Sequence, residues 1–306
     1  MSNIANVQRT LPYFNIFGTA DISSAQSIDE ALQIAMLDWE VESKDMFDAN
    51  GNKFPGYKAN VRKSDGQLLG VVGERYRIVQ NHDAFDFIDG LVADGLQFDK
   101  AGQFRDGRSI WVMGSLPQTS ILGDDVDTNI VFTNSHDGTS GVKIMMTPVR
   151  IVCSNMLNLA LRKASRSWAT RHTGGIFSKL EEAKHTLNLA DKYMDALKEE
   201  ADRLTGVTIA DAELEKILEE MFPIDMMKDS AVKIRNTVEL RDIFKKCYDA
   251  PDIAQYKGTA YGVMNAISDM ASHKSPTRLS DNFYENAWNA LINGHPYLDK
   301  MYKRIA

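Results

Sequence analysis

The stretch FTNSHDGTSGVKIMM (132–146) decides the fold class, because an Asp-Gly pair at 137–138 divides two runs of β-forming residues. A type I′ turn needs positive φ at both central positions, which Asp-Gly tolerates, and its twist matches that of paired strands. The same arrangement recurs in VRKSDGQLLGVV (61–72), around Asp65-Gly66, and in QFRDGRSIWVM (103–113), around Asp106-Gly107. Three such hairpin signals predict an antiparallel sheet rather than strands alternating with crossover helices.

Working outward, strands are expected at about 108–115, 129–135 and 141–152, followed by a helix from Ser154 to Ala164, a β-β-β-α unit. Pro148 inside the third strand predicts an edge position or a bulge, since proline donates no ladder hydrogen bond. Upstream, Ser27 and Glu30 form a capping box. Behind it Ile28, Ala31, Leu32, Ala35, Met36 and Trp39 recur at helical spacing. Asn50-Gly51 and Pro55-Gly56 then interrupt the chain, and a helix over Asp83–Ala93 stops before Gly95. Downstream, Ser178 and Glu181 predict a cap for a long helix to Leu204. Further helices are expected over 210–221, 229–248, 252–271 and 281–292, with Pro223, Pro251, Pro276 and Pro296 near their limits. The expected class is α+β: an N-terminal arm (1–26), an α+β sheet domain (27–177) and a helical domain (178–306).

Net charge is −7, but its distribution is uneven. Residues 138–180 hold seven Lys/Arg and no acid, in a chain with 42 acidic residues of 306. Both flanks are acidic. Local sign governs docking to a phosphate backbone more than net charge does. The window contains Arg150, then Arg162, Lys163 and Arg166 on the expected helix, then Trp168, Arg171, His172 and Lys179. A groove of such cations would follow a polyanion, and an indole can stack on a base. The competing reading is a solvated face paired with acids from the C-terminal half. A second basic cluster, Arg62, Lys63, Arg75 and Arg77 with Tyr57 and Tyr76 nearby, falls on the first hairpin. It is either an opposing lip of the same channel or the wet face of a half-buried sheet.

Catalytic and metal signatures are absent from the pattern. Ser135-His136-Asp137 has triad residue types, but three consecutive residues point in different directions and fit a turn better. His136 could contact a ligand from that turn. Cys153 and Cys247 make no metal-spaced pair and predict a reducing compartment. The six histidines show no ligand spacing, and neither GxxxxGK[ST] nor GxGxxG occurs. We therefore expect no catalytic residue, no cofactor and no metal. No apolar run of 18 residues and no basic-then-apolar start predict neither a membrane span nor a secretory signal.

The segments LLGVVGERYRIVQNHDAFDFIDGL (68–91), AGQFRDGRSIWVMGSLP (101–117), SHDGTSGVKIMMTPVRIVCSNMLNLAL (135–161) and TRHTGGIF (170–177) resemble the phage/plasmid-like family known as domain of unknown function 932. The resemblance implies a mobile-element origin and the bacterial cytoplasm. The β-β-β-α order followed by a basic helix is similar to Rad52-like single-strand annealing proteins. That likeness implies a ring or filament of identical subunits holding single-stranded DNA on Arg150, Arg162, Lys163 and Arg166, with the 62–77 hairpin as the opposing lip. The acidic flanks and the acidic C-terminal region depart from that pattern. The expected function is single-strand binding and annealing without ATP or metal. The alternative is a protein-interaction factor that modulates host defence or replication, with the basic window as docking patch.

Overall fold

The structure, a computed structural model, describes residues 19–150, 155–156, 167–182, 186–273 and 295–305. Among these residues it is α+β, with antiparallel sheets followed by helices. The larger sheet has seven strands. Strands β1 (Ala20–Asp21), β5 (Gln97–Phe104), β6 (Ser109–Ile121), β7 (Asp124–Ser135), β8 (Val142–Arg150) and β10 (Ser167–Thr170) lie in that order, and β9 (Asn155–Met156) also pairs with β8. The smaller sheet joins β2 (Val41–Phe47), β3 (Lys53–Arg62) and β4 (Leu68–Gly73) in sequence order.

All three Asp-Gly pairs connect antiparallel neighbours: β3 to β4, β5 to β6 and β7 to β8. Gly66, Gly107 and Gly138 each have positive φ. At the second turn Arg105 and Asp106 are left-handed as well. A fourth hairpin, β6 to β7, turns on Leu122-Gly123 with positive φ at both residues. Leucine is a poor marker for that conformation, so this turn was not legible and β6 runs longer than expected.

The central strands alternate between two covered faces. Ile110, Val112, Ile130, Phe132, Val142, Ile144 and Met146 enter the main core, which continues into the C-terminal helices. Trp111, Met113, Val131 and Met145 are buried on the opposite face. Gly102 lies opposite Trp111, and a Cβ there would come within 2.9 Å of the indole. The absence of a side chain at Gly102 gives the indole its space. The small sheet approaches this second face so closely that a Cβ on Gly70 would lie 2.4 Å from the Asp137 Cα.

Several elements differ from the sequence expectation. Helix α1 (Ile28–Ile34) has Ser27 as its cap but ends at Ile34, not Trp39, because Met36 adopts φ 55° and the Leu37 amide closes back on the Leu32 carbonyl at 2.8 Å. No glycine announces that stop. Strand β3 passes through Pro55-Gly56 instead of breaking there, and β2 was not anticipated. The helix expected over 83–93 is two short ones, α2 (Asn81–Phe85) and α3 (Ile88–Ala93). Pro148 is central toward β7, while its outer side falls between the stretches of β8 that pair with β10 and β9.

The helix expected from Ser154 is contradicted at Asn155–Met156, which hydrogen-bond to β8 as a strand. The rest of that segment lies outside the described residues. Ser178 is not a helix cap: α4 (Ile176–Glu182) has already begun, and the Ser178 hydroxyl donates to the Gly175 carbonyl at 2.8 Å. Helices α5 (Thr186–Thr205), α6 (Asp211–Met221) and α7 (Ala231–Tyr248) follow. In place of one helix over 252–271, a 3-10 turn (Pro251–Tyr256) and α8 (Ala260–His273) are separated at Gly258, whose φ is positive. Ala260, Val263, Met264, Ala266, Ile267 and Met270 bury α8 nearly all round, as in a core helix. A last helix, α9 (Pro296–Ile305), packs on α8 and α6, and the helix expected over 281–292 lies outside the described residues.

Candidate functional site

A cleft of about 1130 Å³ opens where the chain after β4 meets the end of the β8–β10 pair. Its lining gathers Gly73, Arg75, Tyr76 and Arg77 from one side, Gly138–Gly141 and Lys143 from another, and Ala169–Gly174 with Lys179 from a third. These are the segments GERYR, DGTSGVK and ATRHTGG, which are far apart in sequence. Five of the lining residues are Lys or Arg, and none is Asp or Glu.

The cleft is built on a buried polar frame. Tyr76 stacks on His172 with ring centroids 4.8 Å apart and planes 8° from parallel, and its hydroxyl donates to the Ser135 carbonyl at 2.7 Å. Burial raises the Tyr76 hydroxyl above its ordinary pKa, so the phenol stays neutral. The Arg77 amide donates to the His172 carbonyl at 2.9 Å, and His172 Nδ1 lies 3.1 Å from the Arg77 carbonyl. Since a carbonyl only accepts, Nδ1 carries the proton. Burial lowers the His172 pKa, so the ring adds no charge to the cleft near neutral pH.

The turn opposite is equally constrained. Asp137 Oδ1 accepts from the Ser135 hydroxyl at 2.6 Å, the Thr139 amide at 2.9 Å and the Thr139 hydroxyl at 2.6 Å. Burial works to raise the Asp137 pKa, but these hydrogen bonds together hold it below the usual carboxylate range. Its charge is thus spent on the turn. His136 points the other way. It is fully buried, its Nε2 donates to Asn81 Oδ1 at 2.8 Å, and the Asn81 amide nitrogen donates to the Leu37 carbonyl at 2.7 Å. Burial above all, with the neighbouring His172 adding to it, lowers the His136 pKa to about 3. The expectation that His136 could meet a ligand is therefore corrected.

The two sequence clusters divide in the structure. Arg75, Arg77, Arg171 and Lys179 converge on the cleft, are exposed, and have no carboxylate partner among the described residues. Half-buried Lys143 also lines the cleft, a member of the basic window that its position mid-strand did not single out. Glu74 stands between Gly73 and Arg75, but its carboxylate accepts from the Gly56 amide at 3.2 Å. Arg62 and Lys63 do not reach the cleft. The Arg62 guanidinium lies 4.8 Å from the Trp39 ring centroid, pairs with Asp65 at 3.3 Å and donates to the Asp106 carbonyl. Lys63 pairs with Glu40 at 2.7 Å.

Trp168 was expected beyond a helix, beside the cations. It lies instead in β10 opposite Ile144 and packs against the main core. Strand alternation sends its neighbours Ala169 and Lys143 to the cleft face and the indole to the other. Arg150 closes β8, with only its backbone described, and Arg162, Lys163 and Arg166 lie outside the described residues. Among the described residues no three His, Cys, Asp or Glu side chains cluster to hold a metal, and no helix is long and apolar enough to cross a membrane.

A family model described as Domain of unknown function (DUF932) matches residues 68–289, more than half of the chain, and spans every segment of the cleft. No curated protein and no solved structure matches.

Proposed function

Because the chain belongs to the DUF932 family, whose description assigns no activity, we propose a function from its own surface: it binds the backbone of single-stranded DNA in the basic cleft and promotes annealing of complementary strands. The observation that carries this reading is a cleft lined by five cations and no acid in a protein of net charge −7. Cations at the mouth of a cleft raise the local concentration of an anion and release counterions when phosphates enter. Held by its phosphates, a strand keeps its base edges free to pair, and neutralised backbones repel a second strand less. The chemistry uses neither ATP nor metal, and the reading places the protein in the bacterial cytoplasm, as an assembly of identical subunits along a strand.

The test is anisotropy of a fluorescent single-stranded oligonucleotide at about 50 and 200 mM salt, the range over which phosphate contacts weaken steeply. The wild type is compared with an Arg75→Ala/Arg171→Ala/Lys179→Ala variant. Binding that weakens with salt and is lost in the folded variant supports the cleft. Absence of wild-type binding rejects the reading.

A further inference from the structure

Four glycines line the cleft: Gly73, Gly138, Gly141 and Gly174. Two of them have a cause in the fold. Gly138 has φ 77°, the left-handed conformation that its turn needs. Gly141 lets the Thr170 carbonyl oxygen lie 1.8 Å from where a Cβ would stand. Gly73 ends β4 on the strand face that it shares with Val71, whereas Gly70 and Val72, on the other face, meet the Asp137–Gly138 turn. A side chain at Gly73 would therefore project away from that turn.

Gly174 has no such cause. Its φ lies outside the left-handed region, and a Cβ on it would find no protein atom within 4 Å. The Ile176 amide donates to the Thr173 carbonyl at 3.2 Å, which closes a turn over Gly174 and Gly175. Gly175, at φ 82°, is the residue of that turn whose conformation favours glycine. The position before it accepts other residues, proline commonly. A glycine there lowers stability relative to alanine, because it leaves the unfolded chain more freedom. What Gly174 does have is its place. It stands in the sequence between Arg171 and Lys179, both exposed, both lining the same cleft, and neither with a carboxylate partner among the described residues.

We infer that Gly174 is the point of closest approach for the bound strand: the sugar-phosphate backbone passes over the bare main chain there, and Arg171 and Lys179 reach its phosphates. The inference rests on the single-strand reading above and adds the position that sets how deeply the strand sits. A glycine keeps this part of the wall free of a side chain, so a phosphodiester can come into contact with the main chain itself. Attraction between charges falls with their separation, so a strand held off by one side chain loses part of its hold on both cations. A side chain at Gly174 is thus harmless to the fold and harmful to the complex.

The experiment uses the full chain as wild type, Gly174→Ala and Gly174→Leu, titrated against a fluorescent oligo-dT strand over a range of salt. Both variants should melt no lower than the wild type. Gly174→Leu is expected to lose about 5- to 150-fold in affinity, the effect of forcing an oversized group into a fitted contact, and Gly174→Ala should lose less. The log–log salt slope of Gly174→Leu should flatten by up to about 1.4, the share of two phosphate contacts. If Gly174→Ala melts below the wild type, the fold needs the glycine and the inference is overturned. If Gly174→Leu binds as tightly as the wild type while the Arg75→Ala/Arg171→Ala/Lys179→Ala variant does not bind, the close approach is overturned and the cleft reading stands. If the wild type does not bind the strand, both are overturned.

Discussion

Arg77 and His172 hold one another through two hydrogen bonds, the Arg77 amide to the His172 carbonyl at 2.9 Å and His172 Nδ1 to the Arg77 carbonyl at 3.1 Å. This clasp ties the chain after the small sheet to the chain after β10 and so creates the cleft between them. The arginine side chain is exposed while its backbone is fixed, which separates charge from architecture at a single position.

Replacing either partner should therefore have opposite consequences. His172→Ala removes a buried donor and the Tyr76 stack, and should cost about 2–3 kcal/mol of stability. Arg77→Ala keeps both backbone groups and should change stability by less than about 0.5 kcal/mol while weakening oligonucleotide binding. Denaturant melts and anisotropy on the two variants check this. Equal destabilisation by both would contradict the assignment.

The cations can be sorted by salt dependence. Removing Arg75, Arg171 or Lys179 singly should flatten the log–log salt slope by about 0.7 each if each neutralises one phosphate. Arg62→Ala should leave the slope unchanged. It should instead lower stability by about 1–2 kcal/mol, through loss of the Trp39 contact and the bond to Asp106.

Acid sensitivity should trace to His136. Its folded pKa, about 3, lies below its ordinary 6.5, so between these values the unfolded chain binds a proton that the native state does not. Stability is then complete above pH 6.5 and falls by about 1.4 kcal/mol per pH unit toward pH 3 from this group. In His136→Gln the amide can still donate to Asn81, and the pH dependence over that interval should be shallower. An unchanged slope in urea melts at pH 4, 5 and 7 would remove His136 as the cause.

Gly141 should tolerate no side chain. A Cβ there would stand 1.8 Å from the Thr170 carbonyl oxygen, where β8 and β10 begin to pair. Gly141→Ala should cost about 1–3 kcal/mol by forcing the strands apart, and should weaken oligonucleotide binding because Thr170 and Arg171 line the cleft. Gly90→Ala, outside the cleft and with open space at its Cβ, is the control and should bind as the wild type and be no less stable.

Much of the secondary structure was legible because its signals are local. Asp65-Gly66, Asp106-Gly107 and Asp137-Gly138 mark turns through the conformations that two adjacent residues allow, and Ser27 caps its helix within one turn. Two of the misses share one cause: at Leu122 and Met36 the chain takes a left-handed conformation on residues that do not advertise it. Ser178 shows the converse. A capping pattern was present, yet its serine was drawn one turn into a helix that had already started at Ile176.

By itself the sequence determined the antiparallel character of the sheets, the helical C-terminal half and the segregation of seven cations into an acid-free window, since composition and short-range geometry suffice for each. Only the tertiary structure decided which cations meet. Arg62 and Lys63 stand close in sequence to Arg75 and Arg77 yet are neutralised by Asp65 and Glu40, whereas Arg75 and Arg77, just beyond the hairpin, join Arg171 and Lys179 from the distant window. The physical reason is the contact of Gly70 with Asp137 and the clasp of Arg77 with His172. These bring two sheets together across a sequence separation that no local pattern spans.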